Sequence, residues 1–283
     1  MKPQWRRLAL LALGVGLFLG ARLAPAQDDD RAPYRPTPQA VVDRMLELAQ
    51  VKPDDYVVDL GAGDGRIVLT AAKKFGARGL GVEINQGLVR EAQRAAEREG
   101  IADRAKFAVQ DLYETSLRDV TVLTLYLLPE MNRKLAPRIL SEMKPGTRVV
   151  AQEFGIQGWE PDVRETVAGN EEWTGWLRER SVYLWIVPAQ IAGRWRVERD
   201  STPFVLDISQ SFQDARATAP SAGGEVEVNV EPVRARTVRF AVSPPAPFAG
   251  EYVGTVDGDT LHGEFRSPGG ATGTWRAVRS ASR

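Results

Sequence analysis

The run Asp59-Leu60-Gly61-Ala62-Gly63-Asp64-Gly65, followed by Glu83 within Gly-Val-Glu-Ile, sets acids and glycines where a nucleoside can be held. Glycines at 61, 63 and 65 remove side chains that would keep a ligand off the backbone, and they permit positive φ in a tight turn. An acid in the place of Glu83 can accept two hydrogen bonds from a ribose diol, as in dinucleotide-binding folds. The NAD fingerprint G-x-G-x-x-G needs glycine at position 66, where the chain has Arg66. No G-x-x-x-x-G-K-[ST] occurs either, which excludes a phosphate-cradling P-loop. Carboxylates at 59 and 64 crowd the turn. They are awkward for a pyrophosphate and suit a ligand with a cationic amine and a sulfonium. The plainer alternative is a glycine turn that only packs a helix on a sheet.

Such residues need a βαβ frame, and the flanking sequence supplies one. YVVDL (56–60) reads as a strand, 66–75 as a helix, and 79–84 as a second strand ending on Glu83. A helix over about 86–99 has Asn85 as its cap, Gly100 past its end, and an apolar stripe of Leu88, Val89, Ala92, Ala95 and Ala96. A third strand, 106–110, ends on Asp111-Leu112. The fourth, 120–128, is nearly continuous in apolar residues, as expected for a parallel strand covered on both faces. Residues 130–144 look helical, with Pro137 expected to restart or kink the segment. A fifth strand over 147–154 and segments near 163–168 and 182–187 complete a mostly parallel seven-stranded sheet of an α/β domain. Asp59, Glu83 and Asp111 then come from the carboxyl ends of strands one, two and three, where such sheets bind ligands.

The acid-x-Gly-x-Gly-x-Gly turn resembles motif I of the class I S-adenosylmethionine (SAM) methyltransferases, which have a Rossmann-like fold. PYRPTP (33–38), DLGAGDGRIVL (59–69), LYLLPEMNRKLAP (125–137) and KPGTRVVAQEFGIQGWEP (144–161) together resemble one subgroup, the small protein-lysine methyltransferases. That subgroup includes archaeal enzymes of broad specificity and the mitochondrial enzyme acting on the ATP synthase c subunit. The resemblance covers roughly residues 33–187 and departs from the subgroup at Ala151-Gln152, where Ser-His is expected. It implies SAM as cofactor, held by Tyr34, Thr37, Asp59, Gly61, Gly63, Asp64, Gly65, Glu83, Asp111 and Leu112. In that arrangement Asp111 takes the adenine amine, with Leu112 beside the ring; a turn or helix-capping role would equally explain Asp111. The loop carrying Tyr34 and Thr37 is expected to close over the methionine end. Thr37-Pro38 is also a good N-cap and N1 pair, which explains Thr37 but not Tyr34.

A lysine nucleophile must be neutral, and its ordinary pKa is about 10.4, so desolvation or an acceptor has to help it lose a proton. Tyr126, Glu130 and Glu153 are the candidates for that work, at strand ends expected to face the methyl group. Their plainer roles are an amphipathic aromatic, a helix-start acid and an edge acid.

The ends of the chain carry other signals. Residues 1–26 read as a signal peptide: Lys2, Arg6 and Arg7, an apolar stretch over 8–21, and Ala24-Pro25-Ala26 as a cleavage site. Export is therefore expected, with an uncleaved membrane anchor as the alternative, in which the N-terminal segment would keep the chain near a membrane. Residues 27–36 form a tether, and 37–188 form the methyltransferase domain. Residues 191–283 show short alternating runs between turn residues, expected to form a small antiparallel all-β domain, a sandwich or barrel, with a filled core favoured over a lipocalin-like ligand cavity. Gly193-Arg194-Trp195 and Gly273-Thr274-Trp275 are expected to plug it. His262 is the single histidine and there is no cysteine, so neither metal nor disulfide chemistry is expected. Lys and Arg total 37, as do Asp and Glu, and this balance disfavours nucleic acid as a partner. Three functions remain open: methylation of a protein lysine, methylation of a small molecule or lipid, and an inactive SAM-binding envelope protein. The third is motivated by supply: SAM is made in the cytoplasm, and an exported enzyme would need a source of it.

Overall fold

Alternating apolar runs place each strand between two helical layers. The computed structural model describes residues 34–170, 177–200 and 203–280; residues 1–33, on which the signal-peptide expectation and most of the tether expectation fall, lie outside the described residues. After α1 (Gln39–Leu48) come β1 (Tyr56–Leu60), α2 (Arg66–Phe75), β2 (Arg78–Glu83), α3 (Gln86–Arg98) and β3 (Ala105–Val109). Then follow β4 (Val122–Leu125), α4 (Pro129–Glu142), β5 (Arg148–Gln152), β6 (Val163–Asn170) and β7 (Leu177–Ile186). The sheet order is β3-β2-β1-β4-β5-β7-β6. The first five strands are parallel, and β7 runs antiparallel to β5 and β6. The chain winds in opposite directions from β1, towards β2 and towards β4, and such a switch point opens a crevice at the carboxyl ends of the strands. Successive residues of a strand face opposite sides. Val57, Val122 and Val150 therefore meet α1 and α2, while Val58, Leu123 and Val149 meet the layer of α4.

Caps behave as their chemistry dictates at α3, where the Asn85 side chain accepts from the Gly87 and Leu88 N–H groups. Thr37 does not cap α1. Pro38 is the N-cap and its carbonyl receives the first helical bonds, while Thr37 is buried and gives its own carbonyl to Arg66. The fourth strand is shorter than its apolar run, because Tyr126 to Leu128 leave the ladder to enter α4 at Pro129. Pro137 neither ends nor restarts α4, which continues as one helix through Glu142. Met131, Asn132, Leu135, Ala136 and Ile139 are buried along that helix, and their packing outweighs the lost hydrogen bond.

The C-terminal part is a closed antiparallel barrel of β8 (Gly193–Arg199), β9 (Phe204–Ser211), β10 (Asp214–Ser221), β11 (Gly224–Val230), β12 (Thr237–Val242), β13 (Gly250–Asp257), β14 (Thr260–Arg266) and β15 (Thr272–Arg279). Each strand pairs with the next, and β15 closes on β8. An eight-stranded barrel is just wide enough for side chains to fill. Trp195, Phe204, Phe240, Tyr252, Phe265 and Trp275 are buried in its core. Of the glycine-tryptophan segments, Trp195 on β8 and Trp275 on β15 are buried in that core as strand side chains. Strand β10 was hidden in the sequence because DARATAPS is small, polar and proline-bearing, yet it bonds to β9 and β11.

The sheet and the barrel share an interface built on the loop after β5. Trp159 stacks on Phe212 of the β9–β10 turn at 5.2 Å, and its carbonyl accepts from Trp185 Nε1 at 3.0 Å. Arg234 pairs with Asp162 at 3.0 Å, and Gln213 Nε2 donates to the Glu160 carbonyl at 3.0 Å.

Candidate functional site

The glycine turn leaves β1 and enters α2 over the carboxyl edge of the sheet. Gly61 and Ala62 donate to the Val82 carbonyl at 2.9 Å, which fixes the turn beside the end of β2. Two of its glycines are required by contact as well as by positive φ. A Cβ on Gly63 (φ 54°) would lie 2.5 Å from the Tyr34 ring, and one on Gly65 (φ 80°) would lie 2.5 Å from Phe107. The turn therefore forms a cradle with Tyr34 laid across it.

Acids and a phenol surround that cradle. Glu83 at the tip of β2 accepts from Gly63 N–H at 3.2 Å and Asn85 N–H at 2.9 Å, so its carboxylate is oriented by backbone alone. Asp59 is 3% exposed and accepts from Thr124 Oγ1 at 2.7 Å. Burial pushes its pKa from 3.8 up to about 7; the Thr124 bond opposes this, and the charges of Asp64 and Glu83 add to it. Burial also acts to raise Asp64, but the Arg66 guanidinium, at 2.6 Å, holds its carboxyl below the ordinary value. Arg66 reaches onward to the Thr37 carbonyl at 2.7 Å, tying the segment before α1 to the turn. Burial, then the Asp64 charge, raise the Tyr34 hydroxyl to about 12, so it remains a hydrogen-bond donor at neutral pH.

The structure thus gathers Tyr34, Thr37, Asp59, Gly61, Gly63, Asp64, Gly65 and Glu83 into one cluster. Asp111 stands exposed past the end of β3 and caps a 3-10 turn over Leu112–Glu114 by accepting from Tyr113 N–H at 2.8 Å. That is the capping role left open for it above; Leu112 is half-buried against the core below. Tyr126 is half-buried beyond β4. Glu130 lies in the first turn of α4, fully exposed and paired with Arg133, as a helix-start acid would be. Glu153, at φ 65°, follows β5 directly and pairs with Arg180 of β7 at 3.6 Å.

Arg66 and Gln152 stand out in the sequence only as departures from other patterns, and nothing in the sequence singles out Thr124, Asn132 or Arg180. Only strand alternation, which puts Thr124 on the same face as Asp59, could have pointed to one of them. Asn132 Nδ2 holds the carbonyls of Phe154 and Gly155 at 3.0 and 3.3 Å, so α4 fixes the turn after β5.

The residues fit a cationic nucleoside such as SAM. Glu83 is preset for a diol, and the cradle keeps space that a Cβ would fill. Asp59, with its pKa at about 7, and Asp64, paired with Arg66, are the acids beyond it. Ile84, Val109, Tyr34 and Leu128 are exposed large apolar side chains along this edge, a surface that a purine ring and an aliphatic chain would cover.

A family model described as the ANTKMT methyltransferase domain matches residues 59–163, ahead of the barrel. A protein-lysine N-methyltransferase of Saccharolobus islandicus (strain REY15A) is 45% identical over 157 residues, 55% of this chain and 93% of that protein. The ATP synthase c-subunit lysine N-methyltransferase of Xenopus laevis is 32% identical over 57% of this chain and 74% of its own. Among solved structures, an RNA methyltransferase from Salinibacter ruber in complex with S-adenosyl-L-homocysteine is 46% identical, covering 56% of this chain and 96% of that one with a TM-score of 0.49.

Proposed function

We propose, from the premise that this chain belongs to the family of SAM-dependent protein-lysine N-methyltransferases, that it methylates the side-chain amine of lysine in an envelope or membrane protein. The observation that carries this reading is the oriented Glu83 beside the glycine cradle, on a chain 45% identical to a relative of that activity. Bound SAM supplies a methyl group on a positively charged sulfur, and the amine that takes it up gives off one proton. Glu83 would hold the ribose hydroxyls, and Asp111, Leu112, Ile84 and Val109 would flank the base. Asp59, Asp64 and Tyr34 would line the methionine end, with Thr37 and Arg66 fixing the strap that carries Tyr34.

The chain's own work is positioning and desolvation, which supply most of the acceleration in a transfer of this kind. The acceptor amine approaches past β4, beside Tyr126 and the Glu153–Arg180 pair. Loss of its proton is favoured there by burial, which disfavours an ammonium. The leader-like residues 1–26 support export or anchoring, and sequencing the mature N-terminus distinguishes these: a start at Gln27 means cleavage.

The test has two steps on residues 27–283. Calorimetric titration with SAM should show binding that weakens about 10- to 100-fold in Glu83→Ala, the loss expected for hydrogen bonds to a charged group. Methyl transfer from labelled SAM into membrane proteins, followed by acid hydrolysis, should yield methyl-lysine. Label confined to lipid or small solutes would defeat the lysine assignment, and a folded chain that ignores SAM would defeat turnover altogether.

A further inference from the structure

Gln152 closes β5 with a side chain that has no exposed surface, and neither its carboxamide oxygen nor its nitrogen meets a hydrogen-bonding partner. A buried amide left unpaired carries the full cost of its desolvation. Such a group in a folded protein calls for an occupant, because buried polar side chains are nearly always satisfied.

The backbone around this amide is firmly held. The Gln152 carbonyl accepts from Phe154 N–H at 2.7 Å, Glu153 N–H donates to the Ser181 carbonyl at 2.7 Å, and Asn132 fixes the next two carbonyls. Gln152 itself pairs with Val182 of β7. The backbone that carries the unpaired amide is thus fixed at the edge.

Its place in the sheet points to the occupant. Asp59 stands opposite Thr124, and Thr124 opposite Val150. Gln152 shares the face of Val150 and lies one pleat nearer the carboxyl edge, on the opposite side of β4 from the glycine cradle. On the same face of β7, two residues from Val182, is Arg180, buried and paired with Glu153. A neutral donor-acceptor group on the same sheet face as a buried arginine that is itself paired with a carboxylate suits a neutral, hydrogen-bonding ligand group. A full charge would be penalised there by desolvation.

Building on the protein-lysine reading above, we infer that Gln152 is the acceptor-binding residue: its Oε1 accepts an N–H of the neutral lysine amine and directs the nitrogen lone pair towards the cradle. Specificity follows from the same geometry. An apolar acceptor would leave the amide unsatisfied, and a protonated amine would bear the desolvation cost of a full charge.

The experiment uses residues 27–283 and two variants, Gln152→Met and Gln152→Glu. The first keeps the side chain's length and removes both polar atoms, and the second keeps an accepting oxygen. Each is measured for melting temperature, for S-adenosylhomocysteine binding by calorimetry, and for methyl-lysine formed on poly-L-lysine and on the chain itself. Gln152→Met is expected to melt no lower than the parent and to bind S-adenosylhomocysteine equally well. Its kcat/KM for poly-L-lysine should fall about 10- to 100-fold. Gln152→Glu should recover part of that loss. A Gln152→Met variant that methylates lysine within about twofold of the parent overturns the assignment. So does one that loses cofactor binding and melting temperature together, which would mark a structural role. A parent chain that binds SAM yet forms no methyl-lysine on either acceptor overturns the protein-lysine reading itself and this inference with it.

Discussion

Replacing Asp59 with asparagine should make the protein more stable while weakening its hold on SAM, and the effect should depend on pH in a defined way. The side chain is buried, with Thr124 Oγ1 donating to it at 2.7 Å, and an asparagine oxygen can accept the same bond. In the folded chain the pKa of Asp59 is about 7 against an ordinary 3.8, so the folded state binds this proton more tightly than the unfolded state. The stability associated with the protonated acid is fully present below pH 3.8 and is lost as pH rises through about 7. That interval corresponds to about 4 kcal/mol at most above neutrality, and to about 2 kcal/mol at pH 5.5. The asparagine variant carries no such dependence. Thermal unfolding of parent and Asp59→Asn at about pH 5.5, 7 and 8.5 should show the variant's advantage growing by about 2 kcal/mol, or about 4 to 8 °C, and then levelling off. The same variant should bind SAM more weakly at pH 8.5, because a cationic ligand loses the ionised carboxylate it faces. An advantage that does not change between pH 5.5 and 8.5 would mean that Asp59 is ionised throughout, and the buried-acid reasoning would be wrong.

Two further outcomes follow from contacts around the cradle and the loop behind it. Gly63→Ala should cost about 1–2 kcal/mol for a left-handed backbone at φ 54°. It should also push Tyr34 off the turn and weaken S-adenosylhomocysteine binding in calorimetry. Much of the binding loss should already be present in Tyr34→Ala, so the double variant should add little; fully additive losses would refute the contact. Trp159→Ala removes a buried side chain that joins the post-β5 loop to the barrel, at a cost of about 3–5 kcal/mol in chemical denaturation. Lysine transfer should fall while cofactor binding persists, since the cradle is built on other strands. Equal loss of both activities would show that the barrel supports the whole sheet and not this loop in particular.

The nucleoside half of the site was legible because its chemistry is local. Gly61, Gly63 and Gly65 sit in one turn whose backbone demands glycine, and Glu83 ends the very next strand, so residue type and spacing sufficed. The parallel frame was legible for the same reason, through apolar runs and helix signals such as Asn85 and Gly100. What the linear order could not convey was pairing across distance. Nothing near Asp59 in the chain announces Thr124, and nothing near Gln152 announces that its amide ends up buried without a partner. Thr37 has the composition of a helix cap, yet Arg66 engages its carbonyl. Pro137 has the composition of a break, yet packing carries α4 through it. Strand β10 lacks apolar alternation and exists because two neighbours complete its ladder. Residue order was enough to specify the fold class, the cofactor turn and the all-β character of the C-terminal part. Folding in three dimensions settled which carboxylates are paired, which acid is buried far enough to bind a proton near neutrality, and that the barrel braces the loop after β5. Short-range geometry is written in backbone preference, whereas desolvation and charge pairing depend on atoms that only folding brings together.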